Sequence, residues 1–83
     1  MSRLAKLHMR VASAPANTRF ADVVRLAQAA GFVVARRRGS HLVLEHPERP
    51  KLLLNLQPDK GKAKKYQVRD LLAMIEQEDL WRW

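Results

Sequence analysis

The sequence contains no cysteine, and only 8 of its 83 residues are acidic, against 16 lysines and arginines. The lack of cysteine excludes disulfide bonds and metal sites built on thiolates, and it is typical of proteins in a reducing compartment. The acidic residues are scattered, without the spacing of a metal cluster or of a pair of catalytic carboxylates. We therefore expect neither a metal site nor a cofactor.

Long apolar runs are also missing, because no stretch approaches the roughly 20 residues that a helix needs to cross a membrane. The first ten residues alternate charged and apolar side chains, which is not the pattern of a signal peptide. We expect a single domain over residues 1–83, located in the cytoplasm and without a membrane partner. A chain of this length buries only about 60–65% of its unfolded surface, so any functional site should be a surface groove.

The excess of positive charge, formally +8 at pH 7, favours a polyanionic partner, of which nucleic acid is the commonest. The positive residues concentrate in two segments, Arg36–Arg38 and Lys60–Arg69. A membrane surface is a weaker alternative, because no long helix has one basic and one apolar face. The remaining alternative is a charge that serves only solubility.

Apolar periodicity predicts three helices and three strands. The helices are expected over residues 2–12, 19–30 and 66–80. The strands are expected over residues 32–37, 40–45 and 51–56, with short connections that are typical of antiparallel pairing. Asn17 or Thr18 should cap the second helix through a side-chain oxygen, and residues 57–65 should form a loop. Helices gathered on one face of an antiparallel sheet make an α+β fold.

The segment Arg36–His46, RRRGSHLVLEH, combines three arginines, a glycine turn and a histidine at the start of a strand. Strand alternation puts Leu42 and Leu44 on one face and His41 and Glu45 on the other. An unpaired buried carboxylate at Glu45 would be costly. We therefore expect His41 on the open face of the sheet, near the turn.

A histidine in this position titrates near neutrality and can move a proton during phosphoryl transfer. Arginines beside it can hold a phosphodiester, and the turn can add backbone N–H groups and a hydroxyl. The candidate substrate-binding residues here are Arg36, Arg37, Arg38, Gly39 and Ser40. A surface histidine without a catalytic role is the competing interpretation. Ser40 and His41 cannot form a hydrolase pair, since neighbouring strand residues point to opposite faces.

The second basic segment supplies further candidate phosphate ligands, which are Lys60, Lys62, Lys64 and Lys65. Its alternative is a solvated, charged loop. Cations at a helix N-terminus oppose the helix dipole, and a bound anion would offset them. Tyr66 can stack on a base or pack against the sheet, and we favour packing. At the end of the chain we expect Trp81 to pack partially and Trp83 not to pack.

Several of these segments, in this order, resemble HicA-type mRNA interferase toxins. They are Arg19-Phe20 opening a helix, Ala30-Gly31-Phe32 closing it, Gly39-Ser40-His41 entering a strand, His46-Pro47 after that strand, and the stretch LNLQPDKGKAKKYQVRDLL from Leu54 to Leu72. The resemblance covers about Asn17 to Ile75. Glycine-serine-histidine alone would be a weak signal, but its combination with both flanking segments is fairly specific.

The resemblance implies a single HicA-like domain with a double-stranded-RNA-binding-domain-like fold, in which residues 17–80 form the core and residues 1–16 a helical extension. It implies a toxin that cleaves mRNA without a metal, with His41 as the catalytic histidine, and a HicB-like antitoxin that covers the site. Many members carry a second histidine where this sequence has Leu42 or Gln57–Asp59. The acid partner of His41 is thus open, with Lys60 and Lys62 as candidates. The alternative function is a non-catalytic RNA-binding module on the same fold.

Overall fold

The structure is a computed structural model that describes residues 2–83. Its helices are α1 (Arg3–Ser13), α2 (Phe20–Ala29) and α3 (Lys65–Gln77), and a 3₁₀ turn at Pro15–Asn17 connects the first two. Its strands are β1 (Val33–Arg38), β2 (His41–Glu45), β3 (Leu53–Leu56), β4 (Pro58–Asp59) and β5 (Lys62–Ala63). Within the described residues, no helix is long and apolar enough to cross a membrane.

The main sheet has three antiparallel strands in the order β1-β2-β3, which confirms the predicted α+β class. In its register Leu42 lies opposite Leu56, and Leu44 lies opposite Leu54. All four leucines are buried, and they form the face of the sheet that packs against the helices. For Leu42 and Leu44, strand alternation predicted this face correctly. The other face of the sheet stays open.

The start of α2 is held by the chain that follows the sheet and not by a capping side chain. The Thr18 hydroxyl donates a hydrogen bond to the Ala14 carbonyl oxygen at 2.7 Å, and Arg19 occupies the N-cap position without a side-chain bond. The predicted cap by Asn17 or Thr18 is therefore wrong. Instead the Phe20 N–H donates to the Gly61 carbonyl oxygen at 3.0 Å, which satisfies one of the N–H groups that the start of a helix leaves without an intrahelical partner.

A buried histidine locks the end of α2 to the loop after β2. The His46 Nε2 lies 2.9 Å from the Ala30 carbonyl oxygen, and the Glu48 N–H donates to its Nδ1 at 3.2 Å. This pattern fits the neutral ring with its proton on Nε2. Gly31, at φ +105°, passes so close that an added Cβ would lie 2.5 Å from the same Nε2. Only glycine fits this position.

The two ends of the described chain pack on each other. His8 of α1 contacts the indole of Trp81 edge-on, at a centroid distance of 4.3 Å, and that of Trp83 at 5.4 Å. Trp83 packs against the core, whereas Trp81 is 49% exposed. The expectation that Trp83 would not pack is thus wrong. Burial lowers the pKa of His8, and the nearby Glu76 carboxylate partly opposes that shift.

Arg82 ties this tail to the loop after β2. Its guanidinium donates a hydrogen bond to the Glu48 carboxylate. That bond, together with the charge of Arg82, lowers the pKa of the Glu48 carboxyl. Both groups are exposed, so the pair contributes little to stability and mainly orients the tail.

We expect Gly31→Ala to lower the free energy of unfolding by roughly 3–5 kcal/mol, because it combines backbone strain with displacement of His46. Gly61→Ala is the matched control. Gly61 also has a positive φ, +82°, but an added Cβ would meet no atom within 4 Å, so its cost should be about 1–2 kcal/mol. Urea denaturation of both variants measures the difference, and equal losses would contradict the proposed contact with His46.

We expect His8→Phe to reduce the acid sensitivity of the fold. Because the folded-state pKa of His8 lies below 6.5, the unfolded chain binds the proton more readily. The resulting destabilisation is absent above about pH 6.5 and grows as the pH falls towards the folded-state pKa. Glu48, also with a lowered pKa, titrates below 4.5 and outside this window.

The melting temperatures of the wild type and of His8→Phe should therefore differ less at pH 7.5 than at pH 5.5. Between these two pH values the melting temperature of the wild type should fall further than that of the variant. All other titrating groups are common to both proteins, so the difference isolates His8. An equal fall of the two melting temperatures over this pH range would contradict the prediction.

Candidate functional site

A groove of about 500 Å³ lies on the open face of the sheet, beside the turn between β1 and β2. The residues that line it are Arg36, Arg37, Arg38, His41, Val43 and Asn55. The structure therefore brings together the predicted histidine and all three predicted arginines. His41 is exposed on this face, as strand alternation predicted.

A β-bulge in β1 determines which arginines lie beside His41. Val34 pairs with Leu44, but Arg36 pairs with Val43, so the register shifts by one residue at Ala35. After the bulge Arg38 lies opposite His41. Without the extra residue, the register of Val34 would have brought Arg37 opposite the histidine. Bulges commonly re-aim side chains next to functional sites.

The turn at Gly39 and Ser40 closes the β1–β2 hairpin in two residues. Gly39 has a φ of +56°, a left-handed conformation that glycine adopts at little cost. Both residues are exposed, but neither lines the groove. The two predicted turn residues thus lie next to the site and position His41 at its edge.

The positive charge of the groove is not neutralised by neighbouring carboxylates. Within residues 2–83 the arginines that form ion pairs are Arg10, Arg49 and Arg82, and none of them lines the groove. Clustered, unpaired guanidinium groups attract phosphates. A histidine between them can exchange a proton with a phosphodiester bound there.

The four predicted lysines stand elsewhere, outside the groove. Residues 57–65, which we expected to form a loop, contain the β4–β5 hairpin. Its turn residues Lys60 and Gly61 both have a positive φ, 54° and 82°, as a tight turn of type I′ requires. Lys62 forms an isolated antiparallel β-bridge with Arg19 through the backbone. Lys64 is the N-cap of α3, and Lys65 is the first residue of that helix. These lysines form a second basic area next to the start of α2.

A buried glutamine anchors the end of β3 near His41. The Gln57 N–H donates to the Gln67 side-chain oxygen at 2.8 Å, and the Gln67 amide donates back to the Gln57 side chain at 3.2 Å. Gln57 follows Leu56, whose partner Leu42 follows His41, so the two strand ends are neighbours. The sequence contained no signal for this bridge between β3 and α3.

Tyr66, next to this glutamine, is 59% exposed. The expectation that it packs against the sheet is therefore wrong. Its hydroxyl accepts a hydrogen bond from the Gln67 amide at 3.3 Å, and its ring is left free at the surface beside the lysines of α3. Among residues 2–83, no three histidine, aspartate or glutamate side chains come together in a group that could hold a metal ion.

Asn55 is the groove residue to which the sequence analysis assigned no role. In β3 Asn55 alternates with the buried Leu54 and Leu56, so it lies on the open face of the sheet. Register now places it beside Val43, with Arg36 on the other side of Val43. A polar side chain on an open face does not by itself indicate a site, and its position in the groove adds that indication.

Comparison with known protein families gives a match over most of the chain. Residues 20–77 match the family model described as the HicA toxin of bacterial toxin–antitoxin systems. The match begins with α2 and ends with α3, so it includes the groove and the basic hairpin and leaves out α1 and the tail. Neither the curated proteins nor the solved structures give a significant match to the chain.

We expect Gln67→Met to lower the free energy of unfolding by about 1–3 kcal/mol, since it leaves the Gln57 N–H without its buried acceptor. Hydrogen exchange at the Gln57 amide should accelerate as well. Gln77→Met is the matched control, because Gln77 is exposed on the same helix and its replacement should change stability by less than about 0.5 kcal/mol. Similar exchange rates at Gln57 in all three proteins would contradict the anchoring role.

Proposed function

Because the chain belongs to the family of HicA toxins of bacterial toxin–antitoxin systems, we propose that it is a metal-independent endoribonuclease that cleaves mRNA in the cytoplasm. His41 is its single catalytic histidine in this proposal. The observation that carries it is the exposure of His41 in an open groove lined by three arginines. His41 is the one described histidine that is classed as exposed, whereas His8 and His46 are both buried.

The chemistry follows from the substrate, because RNA carries a nucleophile next to each phosphate. His41 accepts the proton of a 2′-hydroxyl as its oxygen attacks the adjacent phosphorus, and the bond to the 5′-oxygen breaks. The leaving oxygen then takes a proton. Lys60 and Lys62 do not line the groove, so water is the proposed proton source. One general base supplies about 10²–10⁴ in rate, which fits a slow nuclease.

The arginines are proposed to hold the scissile phosphate and to offset the charge that builds on it. Arg38 lies opposite His41 and Arg36 is two residues away on the same face. Arg37 lines the groove from the edge strand. The turn residues Gly39 and Ser40 can add a backbone N–H and a hydroxyl.

The second basic area extends the RNA site in this proposal. Lys60, Lys62, Lys64 and Lys65 bind phosphates of the same strand beyond the groove. The β4–β5 hairpin supports this role, because it directly follows the end of β3 next to His41. Phosphate contacts of this kind add affinity without reading sequence.

A HicB-like antitoxin is the proposed protein partner. Val33 and Leu53 flank Glu45 on the open face and are 48% and 51% exposed. Exposed apolar side chains next to a basic groove suit a protein that is acidic and partly apolar. Such a partner would block the entry of RNA.

A non-catalytic RNA-binding module is the second candidate. It is favoured by one observation, which is that the residues lining the groove include no second histidine and no carboxylate that could act as the acid partner of His41. A groove of this kind can bind RNA without cleaving it. The two candidates differ in what His41 contributes.

Cleavage of a labelled single-stranded RNA, with a chelator present, tests the proposal. We expect His41→Ala to lower the cleavage rate by about 10²–10⁴ and to leave RNA affinity nearly unchanged. Arg25→Ala is the control, because Arg25 is exposed on α2 and lies outside the groove, and it should cleave like the wild type.

Equal cleavage by wild type and His41→Ala would remove His41 from the chemistry. Intact binding without cleavage by either protein would favour the non-catalytic module. Cleavage that stops when the chelator is added would contradict the metal-independent mechanism.

A further inference from the structure

The groove is built from two successive rungs of the sheet. In the first, Arg38 lies opposite His41, and in the second Arg36, Val43 and Asn55 lie side by side. Residues two apart on a strand are about 6.8 Å apart and share a face. A nucleotide whose phosphate lies at the first rung can therefore place a base at the second.

The second rung has the properties of a base-binding surface. Val43 is half-buried and supplies an apolar floor, with a guanidinium on one side and a carboxamide on the other. Flat apolar and guanidinium surfaces suit the faces of unstacked bases. The carboxamide of Asn55 offers a donor and an acceptor in one plane, which suits the edge of a base.

Asn55 is also an unusual residue for its strand. Asparagine is depleted in strands, and β3 consists otherwise of leucine, with the sequence LLNL. Its carboxamide is exposed at the groove, unlike that of Gln67, which is buried and bonded to Gln57. Residues that break a local rule tend to mark functional sites.

We propose that Asn55 reads the edge of an RNA base that is seated on Val43, next to the phosphate held at His41. This inference rests on the proposed function, because it requires RNA in the groove. Arginine contacts to phosphates carry no sequence information. Asn55 thus gives the groove a preference at one nucleotide beside the cut. Adenine is the expected base, since its edge matches a carboxamide in two hydrogen bonds.

The test is cleavage of a single-stranded RNA pool with random sequence, followed by sequencing of the cut ends. The wild type should enrich adenine at one position beside the cut, by about 5- to 150-fold over the disfavoured bases. Asn55→Ala should remove this enrichment while still cleaving the pool. Asn55→Asp, which offers only acceptors, should shift the preference towards cytosine.

Gln28→Ala is the control, because Gln28 is an exposed carboxamide on α2 away from the groove, and its cut-site profile should match that of the wild type. A purely structural role of Asn55 would lower cleavage of all sequences alike and leave the profile unchanged. That result would overturn the inference, and so would a wild-type profile without any preference beside the cut.

Affinities for adenine, cytosine and uracil homo-oligonucleotides separate this inference from the proposed function. If the wild type binds RNA without cleaving it, a preference for the adenine oligonucleotide that Asn55→Ala loses would support the base-reading role even as the nuclease proposal fails. If RNA binds with the same affinities before and after the substitution, only the inference about Asn55 fails. If no RNA binds at all, both fail.

Discussion

The register between β1 and β2 is the constraint on which the site depends. The two strands begin with Val33 opposite Glu45 and end with Arg38 opposite His41, and the bulge at Ala35 takes up the difference. Because side chains alternate between faces, one extra residue exchanges the arginines that share the face of His41. Arg36 and Arg38 therefore lie on the open face. A straight ladder would instead bring a single arginine, Arg37, opposite the histidine. The bulge thus decides which arginines lie directly beside His41, while Arg37 still lines the groove from the edge strand.

The distribution of carboxylates preserves the charge of that face. The described acidic side chains that form ion pairs are Asp22, Glu78 and Glu48, and their respective partners are Arg10 on α1, Arg49 in the loop after β2 and Arg82 in the C-terminal tail. These pairs connect peripheral segments to each other and leave the groove arginines unpaired. Crowding like charges at one edge of a sheet costs stability, which a bound polyanion or an acidic partner would restore.

Much of this arrangement could be predicted from local patterns, and the failures share one cause. Strand alternation predicted both the leucine face and the outward orientation of His41, because these depend only on a period of two. The bulge could not be predicted, since it depends on how two strands accommodate each other. Asn17 or Thr18 was expected to cap α2, but the Thr18 hydroxyl donates backwards to the Ala14 carbonyl oxygen, and the Gly61 carbonyl oxygen accepts from the first residue of the helix. The packing of Trp83 against His8 joins residues 75 positions apart in the chain. The apolar periodicity of a sequence does not predict contacts at such a separation.

The three histidines show how environment divides the roles of one residue type. Both ring nitrogens of His46 are engaged in hydrogen bonds, which commits the ring to linking α2 to the loop after β2. His8 is buried against two indoles, and that burial opposes its charged form. Only His41 lies exposed among cations, in a groove open to a ligand. In the proposed reaction only the ring of His41 can exchange a proton with RNA, because neither of the other two histidines lines the groove. The residues that hold the chain together and the residue proposed to act on RNA are thus separated by burial, although their side chains are identical.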